Sequence, residues 1–363
     1  MSDAPTEPEV LFEVRGTLGI ITLNRPRAVN ALTHSMVEAM LAQLLEWEAD
    51  DGVSCVLLTG AGERGLCAGG DIVAIYRDIP EGGSATAAFW RTEYRLNALI
   101  SNYPKPYVAF MDGLVLGGGV GIAAHGSHRI VTERTRTGMP ETTIGFVPDV
   151  GGLYLLSRAP GGAGAHAALT SAHLDAADAL HLGLADTFVP STSLAGLAAA
   201  LETAASAQDV DAAIAQVAQP APASSLAGQC AWMGKDYAGD SIERILGRLR
   251  TRGGPAAEAA ETIAAKSPTA LKTTLAALRR AAGLPSLEAA LDQDYRVGLR
   301  MLASHDFLEG IRAQVIDKDR QPRWSPATLD QVGPDMVRDY FEPLGPDEHG
   351  GELGLADDVK ERA

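Results

Sequence analysis

Two apolar runs of strand length, each closed by glycines, constrain this chain more than any other feature. Val53 to Thr59 lies between Asp51-Gly52 and Gly60-Ala61-Gly62, and Tyr107 to Met111 runs into Asp112-Gly113 and a glycine cluster. Runs of this kind read as strands buried on both faces, the pattern of a parallel sheet covered by helices. The segments around them fit. Leu11 to Val14, Arg15-Gly16-Thr17 and Gly19 to Leu23 predict a strand, a turn and a second strand. Thr33 can cap a helix through Trp47, with Met36, Val37, Met40, Leu44 and Leu45 on one face. A helix over Ala85 to Ile100, a short strand at Arg129 to Val131, a helix over Asp175 to Leu184 and a strand over Ala185 to Val189 complete an α/β alternation.

The chain has 363 residues, enough for a large core. From about Ser191 its character changes to Ala-rich helical stretches around Gln219-Pro220-Ala221-Pro222-Ala223-Ser224-Ser225, which reads as a loop or linker. Lys266-Ser267-Pro268 opens another helical region, with Ser286 a cap for a long segment starting at Leu287. The division expected is a core over residues 8–190, a variable helical or linker region over 191–262, a helical region over 263–344, and a mobile acidic tail over 345–363.

Composition removes several classes of function. A net charge of −16 opposes general nucleic-acid binding, since a phosphate backbone would be repelled. It leaves room for a small anionic ligand, which needs only a local cationic cluster or a helix N-terminus. No apolar run approaches the ~20 residues of a membrane span, and the acidic, Pro-bearing start MSDAPTEPEV argues against a secretory or mitochondrial leader. Cys55, Cys67 and Cys230 are too few and too irregular for a disulfide framework or zinc site, so a reducing cytoplasm is expected. His125 and His128 share a helical spacing but lack the other ligands of a metal site. Ser157 and Ser224 lack the elbow of a serine hydrolase. Lys266, Lys272, Arg279 and Arg280 read as a solvated helix side.

Three constellations carry possible chemistry, each with a plainer reading. Gly117, Gly118, Gly119 and Gly121 follow a strand and precede a helical stretch; they pack a strand against a helix, or they aim a backbone N–H at developing negative charge. The spacing is not that of a phosphate cradle. Leu66-Cys67-Ala68-Gly69-Gly70-Asp71 forms a second small-residue turn after a strand, and the two turns could supply a two-donor oxyanion hole. Here Asp71 reads as a helix cap and Cys67 as a small buried hydrophobe. Finally, Glu141 and Asp149 stand eight residues apart in an apolar segment, Met139 to Gly152. Singly, each has a structural reading, Glu141 paired to Arg158 and Asp149 capping a helix from Val150. Two carboxylates in so uncharged a stretch favour function.

These motifs resemble the enoyl-CoA hydratase/isomerase (crotonase) superfamily. The shared pieces are Ile21-Thr22-Leu23-Asn24-Arg25-Pro26, Asn30-Ala31-Leu32, Cys67 to Ile72, Lys105-Pro106-Tyr107 and Met111-Asp112-Gly113 with the glycine run. Met139-Pro140-Glu141-Thr142 and Asp149-Val150-Gly151-Gly152 follow, then Lys266-Ser267-Pro268, His305-Asp306-Phe307, Glu309-Gly310, Arg312, Ile316 to Asp319 and Trp324. The resemblance implies a spiral of ββα units with two nearly perpendicular sheets, related to ClpP, and a helical C-terminal region.

It also implies a site. Backbone N–H groups of Ala68 and Gly118 would polarise a thioester carbonyl. Hydratases of this superfamily use two glutamates; one aligns with Glu141, but the other falls on Gly121. The hydroxyacyl-CoA hydrolases also have Gly there and use the Glu and Asp that match Glu141 and Asp149, with a substrate-contacting Glu matched by Glu93. The expected reaction is therefore hydrolysis of a short 3-hydroxyacyl-CoA such as 3-hydroxyisobutyryl-CoA, with Glu141 and Asp149 catalytic and Glu93, Gly118, Glu141 and Asp149 contacting substrate. The resemblance implies no cofactor beyond the coenzyme A of the substrate and no metal. The only partner implied is a small acyl-CoA, with a homo-oligomer compatible. A hydratase or isomerase, or a silent CoA-binding protein on the same fold, are the competing readings.

Overall fold

The computed structural model describes residues 7–357. A six-stranded sheet runs in the order β1 (Val10–Arg15), β2 (Leu18–Leu23), β3 (Cys55–Gly60), β4 (Tyr107–Met111), β6 (His128–Val131) and β8 (Thr187–Phe188). β1 and β2 form an antiparallel hairpin, and every later pairing is parallel. β5 (Leu114–Leu116) and β7 (Arg136–Gly138) make a second, two-stranded parallel sheet, tied to the turn after β3 by a bridge between Cys67 and Val115. β7 carries no apolar run, and β5, the three residues Leu114-Val115-Leu116, is too short for its apolar run to mark it as a strand.

Alternation along each central strand explains why the runs are apolar throughout. Leu18, Ile20, Cys55, Leu57, Val108, Phe110 and Ile130 face one core. Ile21, Leu23, Val56, Leu58, Tyr107, Ala109, Met111 and Val131 face the other. Successive side chains point to opposite faces, so a sheet covered twice needs hydrophobes at every position. The first core is closed by Leu197, Leu201, Val210 and Ile214 from the helices Leu194–Leu201 and Ala207–Val217. The change of composition near Ser191 therefore does not separate these helices from the sheet. The Thr17 N–H donates to Glu202 O at 2.9 Å, and the Ser54 hydroxyl donates to Ala204 O.

The opposite face is covered by α1 (His34–Ala49) and α3 (Ser84–Ser101), with α2 (Ile72–Asp78), α4 (Gly118–Ala123) and α5 (Gly152–Leu156) filling the space beside the turns. Thr33 caps α1 by accepting from Met36 N. Met36, Val37, Met40 and Leu44 are buried as the period requires, while Leu45 lies on the exposed flank. Ser267 and Ser286 cap the helices Pro268–Ala281 and Leu287–Leu302.

Two expectations fail, the first of them in part, for packing reasons. The basic side of the helix Pro268–Ala281 is a solvated face only in part: Arg279 and Arg280 are exposed, whereas Lys266 and Lys272 are not. Lys266 is buried with its Nζ donating to Thr143 Oγ1, Lys272 pairs with Glu243, Arg279 donates to the carbonyls of Gly239 and Tyr237, and Arg280 lies over the Phe341 ring. Nor is the acidic segment after Leu344 detached. Leu353 and Leu355 are buried, Glu352 accepts both arms of Arg296, and Arg91 donates to the carbonyls of His349, Gly351 and Glu352. Residues 358–363 of the expected tail lie outside the described residues.

Candidate active site

The turns after β3 and β5 meet because the Cys67–Val115 bridge joins them. Leu116 N donates to Cys67 O at 3.0 Å, which sets Gly69 and Gly70 against Gly117 and Gly118. Glycine is required there: Gly69 has φ 103° with Leu116 O 3.2 Å from where a Cβ would lie, and a Cβ on Gly119 would lie 2.7 Å from Cys67 O.

The structure corrects one expected donor. Ala68 N already donates to Val29 O at 2.9 Å, so it is not available to a ligand. The N–H groups of Gly70 and Gly118, in contrast, have no acceptor among the described residues. Gly118 also opens α4, whose aligned peptides add partial positive charge at this end. The pair of free donors is therefore Gly70 and Gly118. From sequence, the small side chain of Ala68 suggested an accessible amide; the register of the turn against Val29 is a tertiary fact.

Carboxyls gather around these donors. A Cβ on Gly118 would sit 2.5 Å from Glu93 Oε1, and one on Gly117 would sit 2.6 Å from Glu141 Oε1. Glu93 comes from α3, and Glu141 from the 3-10 turn Glu141–Ile144 whose Glu141 carbonyl accepts from Phe146 N. Glu93 Oε1 and Glu141 Oε2 are buried without a hydrogen-bond partner. Glu141 has no pairing with Arg158, which instead stacks over Tyr154 and donates to the Ala281 and Leu284 carbonyls.

Asp149 does not cap a helix through its side chain. Its Oδ2 accepts from the Tyr94 hydroxyl at 2.7 Å, both groups being buried. The next residues turn sharply, with Val150 at φ 49° and Gly151 at φ 72°, and this turn is held by Gly151 N donating to Asp294 Oδ2 at 2.9 Å. His125 Nε2 meets Val150 O at 2.8 Å, so this histidine is a structural bond, and His128 pairs with Asp211.

Glu93, Glu141, Asp149, Gly70 and Gly118 all line one cavity of about 280 Å³. Its wall is aromatic: Trp90 stacks on Phe146 at 5.3 Å, and Phe146 on Phe307 at 4.5 Å. Among the described residues no lysine or arginine lines it, and no cluster of three His, Cys, Asp or Glu is disposed to hold a metal. Burial pushes Glu141 well above the usual carboxylate range, and the nearby Asp149 charge adds to this. Burial raises Asp149 to about 6, with the Tyr94 hydrogen bond opposing the rise. Glu93 is also raised well above its ordinary value, by burial and then by Asp149. Such neighbours share their charge and titrate together.

The position of the missing glutamate is filled. A Cβ on Gly121 would meet Val150 Cβ at 2.7 Å and Asn97 Nδ2 at 3.1 Å, so a longer side chain there has no room without repacking. Tyr94, Asp294 and the aromatic wall have no motif of their own. A helical residue next to Glu93 is the only hint the sequence offers for Tyr94.

Chemically, two free N–H donors beside buried carboxyls can hold an oxyanion while a carboxylate acts on a carbonyl carbon. Known proteins agree with acyl-CoA chemistry. The chain matches the family described as enoyl-CoA hydratase/isomerase over residues 18–341. It is 39% identical to the 3-hydroxyisobutyryl-CoA hydrolase of Danio rerio, covering 95% of this chain and 92% of that one. With the Homo sapiens protein of the same name it shares 37% identity, covering 93% and 89%. Both relatives are mitochondrial by name. Among solved structures, a carnitinyl-CoA dehydratase from Mycobacterium thermoresistibile is 53% identical with a TM-score of 0.89, covering 93% of this chain and 97% of that one. An enoyl-CoA hydratase from Rhodobacter sphaeroides 2.4.1 is 41% identical with a TM-score of 0.87, covering 93% and 98%. The α/β core, the paired glycine turns and the match along nearly the whole chain place this protein in the enoyl-CoA hydratase/isomerase family, with the crotonase fold.

Proposed function

We propose that the protein hydrolyses the thioester of a short 3-hydroxyacyl-CoA, with 3-hydroxyisobutyryl-CoA, an intermediate of valine breakdown, as its first substrate. The observation that carries this reading is the pairing of Glu141 with Asp149 beside two free N–H groups, while Val150 occupies the space next to Gly121. The near full-length likeness to hydrolases of that substrate supports it.

In this reading the thioester oxygen lies between Gly70 and Gly118 N–H, and Glu93 contacts the acyl part. Glu141 takes a proton from the water that attacks the acyl carbon, or it attacks that carbon itself to give a mixed anhydride that water then cleaves to the acid and free Glu141. The carbon–sulfur bond breaks, and the carboxyl pair returns a proton to the departing thiolate; Asp149 also orients the 3-hydroxyl. The products are the free hydroxy acid and CoA. Coenzyme A enters as part of the substrate, and the residues named supply the rest without a further cofactor. We place the enzyme in the cytoplasm on its reducing-compartment cysteine usage, as one copy or a homo-oligomer. Fractionation of source cells and the mass in solution test those two points; sedimentation with mitochondria would overturn the first.

A second reading, addition of water to an enoyl-CoA, is favoured by the names of the two solved structures. A panel of acyl-CoAs separates the two. Thiol release from 3-hydroxyisobutyryl-CoA, with 3-hydroxypropionyl-CoA second, is expected to exceed hydration of crotonyl-CoA; the reverse order sinks the proposal.

A further inference from the structure

Tyr94 is a fully buried phenol whose hydroxyl points at a catalytic carboxyl rather than at water or a carbonyl. Its oxygen lies 2.7 Å from Asp149 Oδ2, and among the described residues Asp149 has no other side-chain donor. Its ring is held edge-on by Tyr295, 6.2 Å between centroids, and Tyr295 in turn lies under the Arg91 guanidinium. The phenol therefore has one orientation and one acceptor.

The surroundings make that bond consequential. Facing Asp149 are Glu93 and Tyr94 from α3, Glu141 from its 3-10 turn, and Asp294 from the helix Leu287–Leu302. His125 stands against the Val150 carbonyl, held uncharged by burial. No lysine or arginine lines the cavity among the described residues, and His173, which does, is exposed rather than buried with the acids. Where buried acids crowd together, a directed O–H donor favours the ionised form of the one carboxyl it reaches.

We propose that Tyr94 is a positioning residue that keeps the Glu141–Asp149 pair singly ionised at neutral pH, with the charge resting on Asp149 in the empty site. This rests on the reading that the pair acts on the thioester. On substrate binding the proton passes from Glu141 to Asp149, so the singly ionised pair supplies both the base that starts hydrolysis and the acid that ends it. Loss of the donor weakens the ionised form, so the pair takes up its second proton at higher pH.

The test is the pH profile of kcat/KM for thiol release. Tyr94→Phe, which removes one oxygen from a packed ring, is expected to move the acid limb up by about one to two pH units. Its rate at pH 8 should fall far less than its rate at pH 6. Replacement of Tyr94 by 3-fluorotyrosine, a stronger donor in the same space, should move the limb the other way. Tyr295→Phe removes a hydroxyl that does not bond Asp149 while keeping the ring against Tyr94, and should leave the limb in place. A Tyr94→Phe profile that superimposes on the parent's, or a Tyr295→Phe profile shifted equally, overturns the proposal. Asp149→Asn separates the two levels: full activity in it removes the reading and the inference together, whereas an inactive Asp149→Asn beside an unshifted Tyr94→Phe removes the inference alone.

Discussion

Glu141 is buried with one oxygen unpartnered, a placement that burial alone disfavours. Glu141→Gln should therefore reduce thiol release by about 10²–10⁴-fold while raising stability by about 1–3 kcal/mol. Turnover and a urea midpoint on the same sample check both halves; an active variant removes Glu141 from the chemistry. Asp149 allows a sign to be worked out. Its carboxyl rises from 3.8 to about 6 on folding, so the folded state favours the protonated form. That contribution is fully present below about pH 4 and is lost as pH rises through about 6. Relative to the parent, Asp149→Asn should gain stability between pH 4.5 and 7.5, by at most about 3 kcal/mol. Urea unfolding at both pH values measures it, and a pH-independent difference would contradict the assignment. Glu141, Asp149 and Gly118 could be singled out in the sequence because they sit in dense local motifs, whereas Glu93, within a long helix, was reached only through the family resemblance. Gly70 was not chosen over Ala68 because the choice depends on Val29, which is 39 residues away from Ala68 along the chain.

At the scale of elements, the central strands β2, β3 and β4 announced themselves because burial on both faces demands nearly unbroken hydrophobes. β5 and β7, three residues each, did not. The segment after Leu344 misled for the opposite reason. It is polar in composition, yet it lies across α3 and the helix Leu287–Leu302 through Arg91, Arg296, Asp292 and two buried leucines. A chain ended at Leu344 should lose about 3 kcal/mol from Leu353 and Leu355 alone, seen as a lower urea midpoint. It should also lose activity more than a surface deletion would, since Arg91 covers Tyr295 and Tyr295 braces Tyr94. Unchanged stability would mean that the segment does not bear on the fold. In the cavity wall, Phe307→Ala removes the ring stacked on Phe146 and should cost about 3–5 kcal/mol.

For the whole molecule, the net charge of −16 opposes an anionic acyl-CoA at a distance. Raising salt from about 0.01 M to 0.15 M shortens the Debye length from about 30 to 8 Å. KM for the thioester should fall across that range while kcat stays level; a rising KM would show that local cations dominate the approach. What the sequence determined by itself was the α/β class, the order of the buried strands and the motifs bearing Glu141 and Asp149, because those depend on the period and chemistry of neighbouring residues. What only the tertiary structure decided was which amides remain free, which phenol meets Asp149, what fills the space beside Gly121, and where the acidic C-terminal segment lies. Each of these depends on groups brought together from distant parts of the chain, and no local pattern records such a meeting.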